Sequence, residues 1–110
     1  MNFLHSCTPP VIHRDLKTPN ILLANTEEGA RVCAKVCDFG LSMRMTKSAA
    51  GREVGNPIWL APEILKRGDK PPEYDEKSDV YSFGIILWEL YHIDGRPFEE
   101  YGSAATHFGC

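Results

Sequence analysis

The run from Val80 to Tyr91 constrains this chain more than any other stretch. Val80, Phe83, Ile85, Ile86, Leu87, Trp88, Leu90 and Tyr91 would leave almost no polar side on a helix opening near Asp79. A helix that is apolar all round is either enclosed by other elements or set in a membrane. The run covers 13 residues, Asp79 to Tyr91, with Glu89 inside it. A bilayer span needs ~20 apolar residues. The run is therefore read as a core helix that needs other helices around it. The whole chain has 110 residues, enough for one small domain at most.

The chemistry-bearing residues lie upstream. His13-Arg14-Asp15-Leu16-Lys17-Thr18-Pro19-Asn20 comes first, Asp38-Phe39-Gly40 begins 23 residues after Asp15, and Ala61-Pro62-Glu63 closes the series. A lone surface aspartate is ordinarily just a solvated loop residue. The surrounding octet and the two later triplets, in order, overturn that default for Asp15. Carboxylates and an amide are hard oxygen donors that suit magnesium better than His or Cys would. An ammonium group close by can neutralise phosphate charge.

Together the three signatures resemble the catalytic loop, the magnesium loop and the substrate-loop anchor of eukaryotic protein kinases. The resemblance implies an α+β, mainly helical fold: a partial kinase-like C-lobe with a short β-hairpin beside the catalytic loop. It covers residues 1–101, and 102–110 read as a non-matching tail. It implies ATP and Mg2+ as cofactors and a protein substrate. Asp15 would accept or orient the substrate hydroxyl proton, with Lys17 near the transferred phosphoryl. Asn20 would hold the second magnesium and Asp38 the magnesium that bridges the ATP phosphates. Lys17, Asn20, Leu22, Cys37 and Asp38 would face the nucleotide. His13 is read as a packing residue against Phe39 and not as a base, Asp79 as a cap on the catalytic-loop backbone, and Glu63 as a structural anchor.

Lys17-Thr18-Pro19-Asn20 resembles the serine/threonine pattern, and Ser78 to Leu90 looks most like the tyrosine-kinase-like group. Dual specificity is the alternative within the family. Asn56 stands where the family places a threonine before Pro57. Residues 41–60 correspond to the activation segment. Arg14 precedes Asp15 as in kinases switched on by a phosphate in this segment, with Thr46 and Ser48 as acceptors and Arg44 as a second cation. The plain alternative is a solvated surface loop.

No Gly-x-Gly-x-x-Gly occurs, and Val32-Cys33-Ala34-Lys35 is misplaced for the phosphate-pairing lysine of the family. The expected partners are therefore the missing N-lobe and the late C-lobe helices. The late arginine that pairs with Glu63 in the family is also absent. A dry, unpaired Glu63 would cost about 3–5 kcal/mol, so it should reach water or take up a proton. The competing reading is a truncated, non-catalytic fragment: a binding or decoy module, or a relic.

Locally, Met1 to Ser6 reads as the end of a helix stopped by Pro9 and Pro10. Ile21-Leu22-Leu23 suits a buried strand, Thr26 to Gly29 a turn, Arg31 to Cys37 the partner strand, and 62–67 a short helix opening at Pro62. Residues 68–78 read as a loop. The net charge of −3 offers no basic field for nucleic acid. No signal peptide is visible. Cys33 and Cys37 would lie ~13 Å apart along a strand, beyond the ~7 Å limit for a disulfide. Free thiols in a reducing cytoplasm are expected.

Overall fold

A computed structural model describes residues 1–44, 57–66 and 72–99. It contains three α-helices and two small antiparallel sheets: α1 (Asn2–His5), β1 (Val11–Ile12), β2 (Ile21–Ala24), β3 (Cys33–Val36), β4 (Met43–Arg44), α2 (Pro62–Leu65) and α3 (Glu76–Tyr91). A single 3-10 turn, Thr18–Asn20, leads into β2.

β2 and β3 form the expected hairpin, with Ile21 opposite Val36 and Ala24 opposite Cys33. Its turn is closed by the Ala30 N–H donating to the Glu27 carbonyl at 3.0 Å. Gly29 takes φ +80 there, a conformation open to glycine at little cost. The strand does not bury Leu22 and Leu23 as expected, since they are 56 % and 60 % exposed. A two-stranded ribbon covers neither of its own faces. The second sheet was not expected. β1 pairs with β4, Val11 opposite Arg44 and Ile12 opposite Met43, which ties the chain just before His13 to the chain just beyond Ser42.

The core gathers Ile12, Leu60, Ala61, Ile64 and Tyr74, with Met43, Leu65 and Tyr81 packed against it. It lies where the β1–β4 pair meets α2. Pro62 opens α2, where its missing N–H is no loss.

α3 starts at Glu76, earlier than the expected Asp79. The cause is a capping box that extends the helix into the expected loop. Asp75 accepts from the backbone N–H groups of Lys77 (2.9 Å) and Ser78 (3.1 Å), and the Ser78 hydroxyl accepts from the Asp75 N–H (3.3 Å). Much of the apolar surface of α3 is uncovered, as expected of a helix that needs other helices around it. Its buried residues are Ser78, Asp79, Ser82 and Ile86. Val80, Phe83, Leu87, Leu90 and Tyr91 are exposed. The inward face is thus mostly polar: Asp79 and Ser82 bond loop backbone, and Asp79 also bonds His5 at the end of α1. No helix among the described residues is long and apolar enough to cross a membrane.

Candidate active site

The loop that carries Asp15 is built around one carboxylate. Asp79 is 1 % exposed. Its Oδ2 accepts from the His13 backbone N–H at 2.8 Å, and its Oδ1 accepts from the Arg14 N–H at 3.0 Å. His5 Nε2 adds a third bond to Oδ2 at 2.9 Å. These bonds hold Arg14 at φ 69, a left-handed backbone that ordinary side chains adopt only under constraint. The chain therefore turns sharply just before Asp15.

Beyond Asp15 the 3-10 turn folds the chain back. Its Asn20 N–H donates to the Lys17 carbonyl at 2.9 Å, and Pro19 presets the turn. Asn20 Nδ2 then donates to the Asp15 carbonyl (2.8 Å) and to Asp15 Oδ2 (3.2 Å). Lys17 Nζ lies 3.0 Å from the same Oδ2. Carboxylate, ammonium and amide thus form one cluster. With its nitrogen committed to Asp15, Asn20 presents Oδ1 as its acceptor.

The hairpin delivers the second carboxylate. The Cys37 N–H donates to the Asn20 carbonyl at 2.9 Å, extending the β2–β3 ladder by one step. His13 Nε2 donates to the Cys37 carbonyl at 3.0 Å. Cys37, the residue before Asp38, is therefore held at its N–H by Asn20 and at its carbonyl by His13. Asp38 adopts φ 62, and its Oδ1 accepts from the Gly40 N–H at 3.3 Å. A Cβ on Gly40 would stand only 3.3 Å from that oxygen, so glycine gives the turn its room.

His13 is fully buried. Because Nε2 donates to a carbonyl, Nδ1 is the acceptor for the Asp15 N–H at 3.3 Å. Both ring nitrogens serve backbone. The ring also packs edge-on against Phe39, centroids 4.9 Å apart. Arg14 lays its guanidinium 4.6 Å from the Tyr74 ring centroid, with Nη1 3.4 Å from Met43 Sδ.

The remaining residues are placed as follows. Leu22 sits exposed on β2 opposite Lys35. Cys37 is a half-buried free thiol, and Cys7 and Cys33 are also free. Glu63 is exposed on α2, so it pays no dry-site penalty. Burial, with the Glu63 charge adding to it, pushes the Tyr81 phenol above its ordinary pKa. Thr46, Ser48 and Asn56 lie outside the described residues.

The oxygen donors fit a magnesium site in kind: a carboxylate at Asp38 and an amide oxygen at Asn20. Among the described residues no three His, Cys, Asp or Glu side chains gather into a metal cage. Magnesium is usually held by one or two protein carboxylates together with phosphate and water, so a sparse donor set suits it.

Sequence reasoning missed His5, Trp59, Tyr74, Ser82 and Glu89. Only Glu89 carried a signal, as a charge inside an apolar run. The others look like ordinary helix or loop residues until the chain is folded.

A family model described as the protein kinase domain matches residues 1–107. The chain belongs to the protein kinase family. It is 52 % identical over 102 residues to the probable serine/threonine-protein kinase roco8 of Dictyostelium discoideum, an alignment covering 92 % of this chain and 5 % of that protein. It is 59 % identical over 90 residues to the probable serine/threonine-protein kinase pats1 of the same organism, covering 82 % of this chain and 3 % of that protein. It is 51 % identical over 96 residues to the serine/threonine-protein kinase CTR1 of Arabidopsis thaliana, covering 82 % of this chain and 10 % of that protein. The kinase segment seen here thus spans a tenth or less of each of these relatives. The resemblance to a partial kinase domain of serine/threonine type stands.

Proposed function

We propose that this segment is part of the larger, helical lobe of a kinase domain that moves the terminal phosphoryl group of ATP to serine or threonine hydroxyls of proteins. The observation that carries the reading is the cluster at Asp15. Lys17 Nζ lies 3.0 Å and Asn20 Nδ2 3.2 Å from one Asp15 oxygen, and the hairpin holds Asp38 one peptide beyond the partner of Asn20.

Phosphoryl transfer asks a protein mainly for positioning and charge neutralisation. Asp38 and the Asn20 amide oxygen would hold magnesium, which would supply positive charge against the phosphate oxygens. Asp15 orients the attacking hydroxyl and receives its proton as the new ester bond forms. Lys17 offsets negative charge on the moving phosphoryl and holds the Asp15 carboxylate in place. Leu22 and Cys37 border the nucleotide on the hairpin side. Arg14 receives a phosphate carried at Thr46 or Ser48. The free cysteines suit a reducing, cytoplasmic setting.

The exposed apolar residues of α3 are surfaces for the rest of such a domain, so the 110-residue chain alone is expected to transfer no phosphate. The test uses the full-length protein that contains this segment. Transfer of labelled phosphate from ATP to a protein substrate is measured for wild type, Asp15→Ala and Asp38→Ala. Each substitution should remove nearly all turnover. Near-normal kcat in either variant overturns the role given to that residue.

A further inference from the structure

Glu89 is the one charged side chain between Val80 and Tyr91. Its Oε2 accepts from the Trp59 indole N–H at 2.9 Å and also from the Thr18 hydroxyl. Two helical turns earlier on α3, the Ser82 hydroxyl donates to the Trp59 backbone carbonyl at 2.6 Å. Ile86 is buried between these two positions. Ser82, Ile86 and Glu89 follow one another at spacings of four and three, so they share one helix face. Trp59 is therefore gripped at both ends by α3, by its carbonyl and by its ring.

The grip joins two parts of the site. Thr18 adjoins Lys17 and opens the turn that ends at Asn20. Trp59 lies two residues before Ala61, in the segment that leads into α2. Glu89 is half-buried. Bonds to an ionised acceptor are roughly twice as strong as neutral ones, and here one oxygen takes both.

We propose that Glu89 is a positioning residue for phosphoryl transfer: it locks the Lys17–Asn20 turn to the Trp59 segment, so that the phosphate-facing groups and the segment facing the protein substrate keep one fixed spacing. This rests on the phosphoryl-transfer reading above. Glu89 acts through Thr18 and Trp59 and touches neither reactant.

The test compares Glu89→Ala, Glu89→Gln and the double variant Thr18→Val/Trp59→Phe in the full-length kinase. Steady-state kinetics are measured against both ATP and a protein substrate. Glu89→Ala should lower kcat/KM for the protein substrate by about tenfold or more, with KM for ATP changed by no more than about twofold. Glu89→Gln keeps an acceptor oxygen and should recover to within about threefold of wild type. Adding Glu89→Ala to the double variant should cost little more, because the partners are already gone.

Unchanged kcat/KM in Glu89→Ala overturns the inference. So does a parallel rise in KM for ATP, or a Gln variant as poor as Ala. The contact itself is read separately from the 15N–1H resonance of the Trp59 indole. It should move upfield in Glu89→Ala and stay close to wild type in Glu89→Gln. An unmoved resonance in Glu89→Ala removes the clamp whatever the kinetics show. A wild-type protein that transfers no phosphate in the same assay overturns the phosphoryl-transfer reading and the positioning role together, and the indole resonance then decides only whether the clamp exists.

Discussion

Removing the Asp79 carboxylate is the sharpest perturbation the fold offers. Asp79→Ala strips the acceptor from the backbone N–H groups of His13 and Arg14 and from His5 Nε2. His5 is 15 % exposed at its side chain and can turn to water. The two N–H groups flank a fully buried residue and cannot. Each unsatisfied buried donor costs about 1–3 kcal/mol, so the pair costs about 2–6 kcal/mol. A domain has only about 5–15 kcal/mol in hand, so the Ala variant can approach the unfolding threshold. Asp79→Asn is the usable variant. Its amide oxygen can replace one acceptor, but its NH2 then faces a backbone donor, for a loss of about 1–3 kcal/mol.

The same bonds hold Arg14 at φ 69, a conformation that costs about 1–3 kcal/mol when nothing enforces it. With one bond gone, the Arg14 peptide should relax and carry Asp15 with it. The assay is amide hydrogen exchange at His13 and Arg14 in the full-length kinase, alongside urea unfolding. At least one of the two amides should lose protection by more than the global stability change explains. Equal protection of both amides in Asp79→Asn and wild type would refute the idea that this carboxylate shapes the loop.

Three further outcomes follow from the geometry. Lys17→Ala should lower kcat by on the order of 10²–10³, the usual cost of losing one preorganised charge-stabilising group; single-turnover rates check this. Asn20→Ala should raise the magnesium concentration needed for half-maximal rate, read from a magnesium titration at saturating ATP, because it removes the amide oxygen proposed as a ligand and also frees Asp15 Oδ2 from a donor. Tyr81 carries a phenol pKa raised by burial first and by Glu63 second. A group whose folded pKa exceeds its unfolded value binds more protons when folded, so stability is lost as pH rises through 10 and beyond. Thermal midpoints should fall more steeply above pH 10 in wild type than in Tyr81→Phe, and parallel curves would exclude the coupling.

The grouping of Asp15, Lys17 and Asn20 was readable in the letters, and so were the hairpin and the long helix. Asp15, Lys17 and Asn20 stand within six residues of one another, so a single loop can bring them together. The β2–β3 hairpin depends on a local turn at Gly29 and on short strands beside it. Even the early start of α3 has a local cause, since Asp75 and Ser78 sit at capping-box spacing; it was missed because the charged stretch before it looked like loop.

Other features had no local trace. His5 and Asp79 are 74 positions apart, His13 and Asp79 66 apart, and Thr18 and Glu89 71 apart. The Asp79 cap was expected from the family resemblance, whereas the His5–Asp79 and Thr18–Glu89 contacts join single polar side chains with no period or motif, and only chain topology brings those together. Burial is likewise a property of what covers a surface. The apolar residues of α3 announced a helix in need of neighbours; among the described residues its covered face is the stripe of Ser78, Asp79, Ser82 and Ile86, where Asp79 accepts from the His13 and Arg14 N–H groups and Ser82 donates to the Trp59 carbonyl. Composition can state that a helix must be enclosed. Which side meets which partner follows from where the folded backbone leaves its polar groups unsatisfied.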